Sequence, residues 1–139
     1  MTNTTRTQLV LQPPDWPRPK GYSNGILARG RQVFIAGQVG WDRTGRFHSA
    51  KMSDQIRQAL QNIVAILAEA GARPEHVVRL TWFITSRDEY NGQLPEIGAA
   101  YRSIMGKHFP AMSVVQIAAL IEDGAKVEIE ATAVLPDSE

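Results

Sequence analysis

"SVVQIAALIEDGAKVEIEATAV", residues 113–134, is the stretch on which the fold turns. Its runs at 113–121 and 126–134 are rich in β-branched residues and read as two strands. The turn-forming Glu122, Asp123 and Gly124 join them. In the second run Val127, Ile129 and Ala131 alternate with Glu128 and Glu130, so both carboxylates project from one face. That face is either a solvated side of an edge strand or the wall of a cavity where a carboxylate orients water or relays a proton. In the first run both faces are apolar, with Val115, Ile117, Ala119 and Ile121 on one side and Val114, Ala118 and Leu120 on the other.

Working back along the chain, Pro110 stops the preceding segment, and the spacing predicts a helix from Pro95 to Met105. Proline suits its first turn and Gly106 its end, while Ile97, Ala100, Tyr101, Ile104 and Met105 form the buried face. "HVVRLTWFIT" (76–85) is a further strand, with Val78, Leu80, Trp82 and Ile84 on one side. Val77 and Phe83 lie on the other with Arg79 and Thr81. A longer helix is predicted from Asp54 to Ala70, with Ser53 as N-cap and Gly71 in the left-handed position after its end. Ile56, Ala59, Leu60, Ile63, Val64 and Leu67 make its apolar stripe, and Gln55, Gln58, Gln61 and Glu69 the opposite side. Asp54 and Arg57 read as a solvated surface pair.

Nearer the N-terminus, Ile26–Ala28 and Val33–Ala36 are short apolar runs joined by Arg29-Gly30-Arg31-Gln32, which suits a hairpin; Asp42 to Gly45 is a second turn. Residues 1–20, with prolines at 13, 14, 17 and 19, predict an extended lead-in over the surface. The expected order is β-β-α-β-α-β-β, an α+β fold with two helices on one sheet face. Two helices cover only one face, so a sheet apolar on both sides predicts a second cover, which another subunit would supply.

A chain of 139 residues is expected to form one domain, 1–139, and its net charge of +1 leaves no electrostatic footprint for nucleic acid or an anionic membrane. The absence of cysteine excludes disulfides, thiol nucleophiles and thiolate metal sites, and fits a reducing cytoplasm. No apolar run approaches the ~18 residues that would span a bilayer, and the N-terminus lacks the basic start and apolar core of a secretory signal. His48, His76 and His108 have no metal-ligand spacing, there is no Walker A or GxGxxG sequence, and no serine has a nucleophile-elbow context. The residues therefore call for neither a metal nor a cofactor.

GYSNG (21–25), VFIAGQVG (33–40), QNIVAILAEAGA (61–72), VVRLTWFI (77–84), FPAMSVVQIAAL (109–120) and VEIEATAV (127–134) together resemble the RidA family, also called YjgF or L-PSP endoribonuclease. The resemblance runs from Gly21 to Val134. It implies a fold like chorismate mutase of the bacillus type, a homotrimer with its sheets around a central barrel, and small-metabolite clefts between subunits. The activity it implies is hydrolysis of reactive 2-enamines and 2-imines to 2-keto acids and ammonia. An arginine forks onto the substrate carboxylate, as guanidinium geometry allows. A glutamate places the attacking water.

Carried onto this sequence, the resemblance gives Tyr22 the place of the family's tyrosine and Glu128 that of the glutamate. Gly37 and Gln38 keep a Ser-Gly-Gln turn in which Ala36 replaces the serine. The family's Pro-Ala-Arg-Ser is here Pro110-Ala111-Met112-Ser113, with Met112 where the clamping arginine stands. A thioether cannot make two charge-assisted bonds of ~1.5–3 kcal/mol each. Its loss should cost on the order of 10²-fold or more with a 2-imino acid. Lys107 and His108 precede the strand by several residues, and Arg79 lies on another strand. Three functions are thereby expected in descending order. The first is a RidA-like hydrolase whose substrate is a neutral or aromatic enamine or imine. The second is a non-catalytic small-molecule-binding or regulatory trimer, and the last an endoribonuclease, for which clustered basic residues are missing.

Overall fold

The structure, a computed structural model, describes residues 8–137. The part of the expected lead-in at 1–7 lies outside the described residues. Six strands and three helices follow one another: β1 Gln8–Leu11, β2 Gly25–Ala28, β3 Arg31–Val39, α1 Met52–Glu69, β4 Val77–Ile84, α2 Arg87–Gly92, α3 Leu94–Met105, β5 Ala111–Gln116 and β6 Val127–Leu135. A 3-10 turn, Pro74–His76, leads into β4. The fold is α+β, with α1 and α3 on one face of a mixed four-stranded sheet of order β3-β6-β4-β5. β6 is antiparallel to both β3 and β4, and β5 runs parallel to β4 at the sheet edge.

The apolar stripes behave as their spacing predicts. Ile56, Ala59, Leu60, Ile63 and Leu67 of α1 are buried against β3 and β6, and Ile97, Ala100, Tyr101 and Met105 of α3 close the core with Leu80, Trp82 and Ile129. Each fully buried leucine or isoleucine contributes on the scale of ~2–5 kcal/mol by the cost of its truncation to alanine.

Several local expectations are corrected. Residues 26–28 do not form a hairpin with 33–36. β2 instead pairs antiparallel with β1, whose apolar Leu9, Val10 and Leu11 offer it a ladder. Gly30 separates the two runs at φ +144°, where any Cβ would overlap the Leu135 carbonyl, and the chain is delivered onto β6. The strand expected at 113–121 begins earlier and stops at Gln116. As an edge strand β5 has only β4 as a sheet partner. β4 ends at Ile84, whose carbonyl takes the last bond from the Ile117 N–H at 2.9 Å. Residues 117–121 are therefore loop, with Ile121 95% exposed, and the claim that this strand is apolar on both faces fails beyond 116.

Ser53 is not the N-cap of α1. The helix starts at Met52, and its free N–H groups are met from elsewhere: Met52 donates to Glu89 Oε2 (3.2 Å) and Ser53 to Gln93 Oε1 (2.8 Å). Both acceptors come from α2 and its C-terminal boundary, a helix the apolar pattern did not announce because none of its residues is buried. Ser86 caps it, accepting from the Glu89 N–H at 3.0 Å. Lys126 Nζ holds Glu89 in place at 3.0 Å. Asp54 and Arg57 do not pair; they bond Ser49 and Ser103 respectively. Gln55, expected on the solvent side, is buried and joins three segments, donating to the Ser49 and Gly124 carbonyls and accepting from the Lys126 N–H. The turn after β3 is organised by Asp42, which accepts from the Thr44 hydroxyl and the Thr44 and Arg46 N–H groups and contacts His48. The Thr44 hydroxyl and the Arg46 N–H hold its carboxyl well below the usual carboxylate range.

Candidate functional site

The sheet register sorts the expected site residues onto two faces. Met112 is level with Leu80, and Leu80 with Ala131, so the thioether is on the helix-covered side. Glu128 is level with Phe83, and Glu130 with Thr81, on the uncovered side. Ser113 and Val115 share that uncovered side through their pairing with Thr81 and Phe83. Within one chain Met112 and Glu128 are thus separated by the sheet, and the structure does not bring them to one point.

Ala36, Gly37 and Gln38 do assemble with Glu128. The β3–β6 register slips between Ile35 and Gln38, so Ala36 and Gly37 together oppose Glu130, a bulge that takes the ladder out of step for one residue. The Gln38 side chain donates to the Ala36 carbonyl at 3.0 Å and stiffens the bulge. Gly37 leaves room for the Glu128 side chain, since a Cβ there would overlap its carboxylate as it now stands. Glu128 is half-buried, in touch with solvent and seated against the Gly37 backbone. A carboxylate so placed can accept a proton from a water on the uncovered face and return it.

Tyr22 and Met112 sit at the free edge of β5. The Ser23 N–H donates to the Pro110 carbonyl (3.0 Å) and Ser23 Oγ to the Phe109 carbonyl (2.5 Å), which lays residues 21–24 along β5 beside Ala111. Tyr22 and Met112 thereby form a wall shared by two cavities. The larger, about 500 Å³, opens on the helix side between α3 and the sheet edge. Its floor is Trp82, Met112 and Val114, and Tyr101 and Phe109 stack beside it at 5.6 Å between ring centroids. The Tyr101 hydroxyl donates to the His108 carbonyl (2.5 Å), and burial pushes its pKa well above that of an ordinary phenol. The smaller cavity, about 260 Å³, is on the uncovered side and is lined by Asn24, Arg79 and Ser113.

The resemblance places Tyr22, Ala36, Gly37, Gln38, Met112, Ser113 and Glu128 at clefts between subunits; within one chain they fall into two groups, at the Glu128 bulge and at the β5 edge. Sequence reasoning missed Lys20, Tyr90 and Arg102, which also line the larger cavity. A signal was present for the last of these, since Gly98 stands one helical turn before Arg102 and leaves room for its guanidinium.

Comparison with known proteins gives a consistent set of likenesses. A family model described as endoribonuclease L-PSP matches residues 17–135. The human 2-iminobutanoate/2-iminopropanoate deaminase is 32% identical over 114 residues, covering 81% of this chain and 79% of the human one. A RutC family protein of Pyrococcus horikoshii is 37% identical over 119 residues, covering 84% and 90%. Among solved structures, a protein of the conserved Rid family from Yersinia pestis superposes with a TM-score of 0.82 at 31% identity, covering 94% of this chain and 100% of its own. The YjgF gene product of E. coli superposes at 0.64 with 32% identity, covering 85% and 91%.

Proposed function

Since the chain belongs to the RidA family, the YjgF or endoribonuclease L-PSP family, we propose that it is a deaminase-type hydrolase of imines and enamines whose preference has moved from small 2-imino acids to aromatic or apolar ones. Glu128 carries this reading. It is a half-buried carboxylate seated on the one bulge of β3, and Gly37 leaves room for it there. The reaction consumes one water: its oxygen adds to the carbon of C=N, and Glu128 takes the water proton. Glu128 returns that proton to nitrogen to give a carbinolamine, then moves the proton of the carbinolamine hydroxyl to the same nitrogen as the C–N bond breaks, leaving a carbonyl compound and ammonia. Enamines enter by tautomerising to the imine.

The shift in substrate rests on Met112. Where the family's arginine would fork onto a carboxylate, a thioether packs against the aromatic side of the larger cavity. An apolar body gains there what a small imino acid loses. The assembly belongs to the same proposal. Phe34, 73% exposed, stands on the uncovered face with Phe83 and Val115, and three chains packing these faces around a barrel would cover it. In such a homotrimer Glu128 of one chain can approach the Met112 edge of another, which a single chain does not allow. A binding or regulatory trimer without turnover is the second reading, favoured by the absence of a guanidinium at 112.

The test is Glu128→Gln. Loss of imine hydrolysis by ~100-fold or more, with ligand affinity within about threefold, is expected. Unchanged hydrolysis would remove Glu128 from the mechanism.

A further inference from the structure

The larger cavity has a charge pattern that the proposed chemistry does not use. Its lining includes two cationic side chains, Lys20 and Arg102, and no carboxylate. Both are exposed residues, so their charges stand at the rim, while the floor is aromatic and aliphatic. Neither makes a salt bridge among the described residues, although Arg57, Arg73 and Lys126 are engaged by neighbouring side chains. Arg102 lies back over its own helix. Its Nη1 lies only 3.1 Å from where a Cβ on Gly98 would be, so the guanidinium folds back along α3 over the glycine. An unpaired polar group also lies within the floor of the same cavity. Trp82 Nε1 is buried and, among the described residues, lacks any hydrogen-bond acceptor, yet Trp82 forms part of the cavity floor. A buried N–H without an acceptor is uncommon in native structures and calls for a partner.

We infer that this cavity takes an amphipathic carboxylate, with an aromatic body on the floor and its charge on Arg102, which binds the anion from α3. The negative charge that the family meets at the β5 edge is met here at the helix rim. The ligand's charged end and its reacting carbon therefore lie apart. A cavity of about 500 Å³ is within the range of small-molecule sites, and a planar guanidinium with a free fork suits a carboxylate. The inference deepens the proposed function by naming the ligand class, and only the identity of the reacting group rests on that reading.

The experiment uses 3-phenylpropanoate and its neutral isostere 3-phenylpropanamide as probes, titrated calorimetrically into the intact protein and into Arg102→Gln, Gly98→Ala and Lys20→Gln. Wild type is expected to bind the acid about tenfold tighter than the amide. This preference should weaken with added salt, because the rim is exposed. Arg102→Gln should bring the two probes to within about twofold, and Gly98→Ala, which displaces the guanidinium, should lower the preference by a smaller factor. Equal binding of the two probes, binding of neither, or a preference that survives Arg102→Gln and is lost in Lys20→Gln overturns the assignment. Acid preference in a protein that hydrolyses no imine would support this inference and remove the hydrolase reading. Glu128→Gln separates the two claims from the other side, since it should abolish turnover without changing the acid-to-amide ratio.

Discussion

In the proposed function Met112 sets what the β5 edge can bind. Its side chain is half-buried on the helix-covered side, packed against the core, and shares the wall between the two cavities with Tyr22. A guanidinium at that position would find Tyr22 beside it and an opening on either side. Met112→Arg is therefore expected to raise turnover of 2-iminopropanoate by at least ~10-fold while weakening binding of apolar ligands, measured as kcat/KM against the uncatalysed rate. No gain in a folded variant would show that Ala36, where the family has serine, also disables the site for such substrates. The departure from the family at this scale is legible in sequence because Pro110-Ala111-Met112-Ser113 keeps the family frame around the changed residue. What sequence could not give was the side of the sheet on which 112 lies. That depends on the parallel register Leu80 to Met112, which is a tertiary pairing. Arg102 was hidden for a related reason: its role depends on how α3 lies over the sheet edge, while the sequence shows only an exposed basic residue on a helix.

At the level of elements, the periodic segments were the readable ones. α1 and α3 bury the faces that their three-and-four spacing announces, and β6 alternates as written. β4 does so from Leu80 to Ile84, but its pairing with β6 slips between Val77 and Arg79, so that Val77, expected opposite Leu80, is buried in the same core. The misreadings fall where a partner, and not the local sequence, sets the boundary. β5 stops because β4 stops, β2 leaves β3 because β1 receives it, and α1 begins at Met52 because Glu89 and Gln93 reach its free N–H groups. The same dependence makes one close approach decisive. At Gly40, just past β3, a Cβ would collide with the Cα, carbonyl and Cβ of buried Gln55, so no flexible tip can give way. Gly40→Ala is expected to destabilise the protein by about 3 kcal/mol, because α1 must move and Gln55 must loosen its bonds to the Ser49, Gly124 and Lys126 backbone. Chemical denaturation checks this, and a loss under ~1 kcal/mol would mean that α1 does not pack as described.

For the whole molecule, one face of the sheet is covered by helices and the other presents Phe34, Phe83 and Val115 among threonines and the two glutamates. The expectation of a second cover now rests on these residues, because the segment first used to argue it, 117–121, is loop. Phe34→Glu should convert a trimer into monomer in light scattering at micromolar concentration, since three like charges would meet on the packed faces. A trimer of unchanged mass would place the interface elsewhere. The proposed trimer would join assembly to chemistry, because within one chain the sheet separates Glu128 from the Met112 edge. The most direct test of that joined account compares the rates at which wild type and Glu128→Gln hydrolyse a freshly generated aromatic imine and 2-iminopropanoate. The account predicts that wild type favours the aromatic imine by about tenfold or more in kcat/KM, and that Glu128→Gln abolishes both activities. Equal or faster consumption of 2-iminopropanoate by wild type, or full activity without the Glu128 carboxylate, would contradict it.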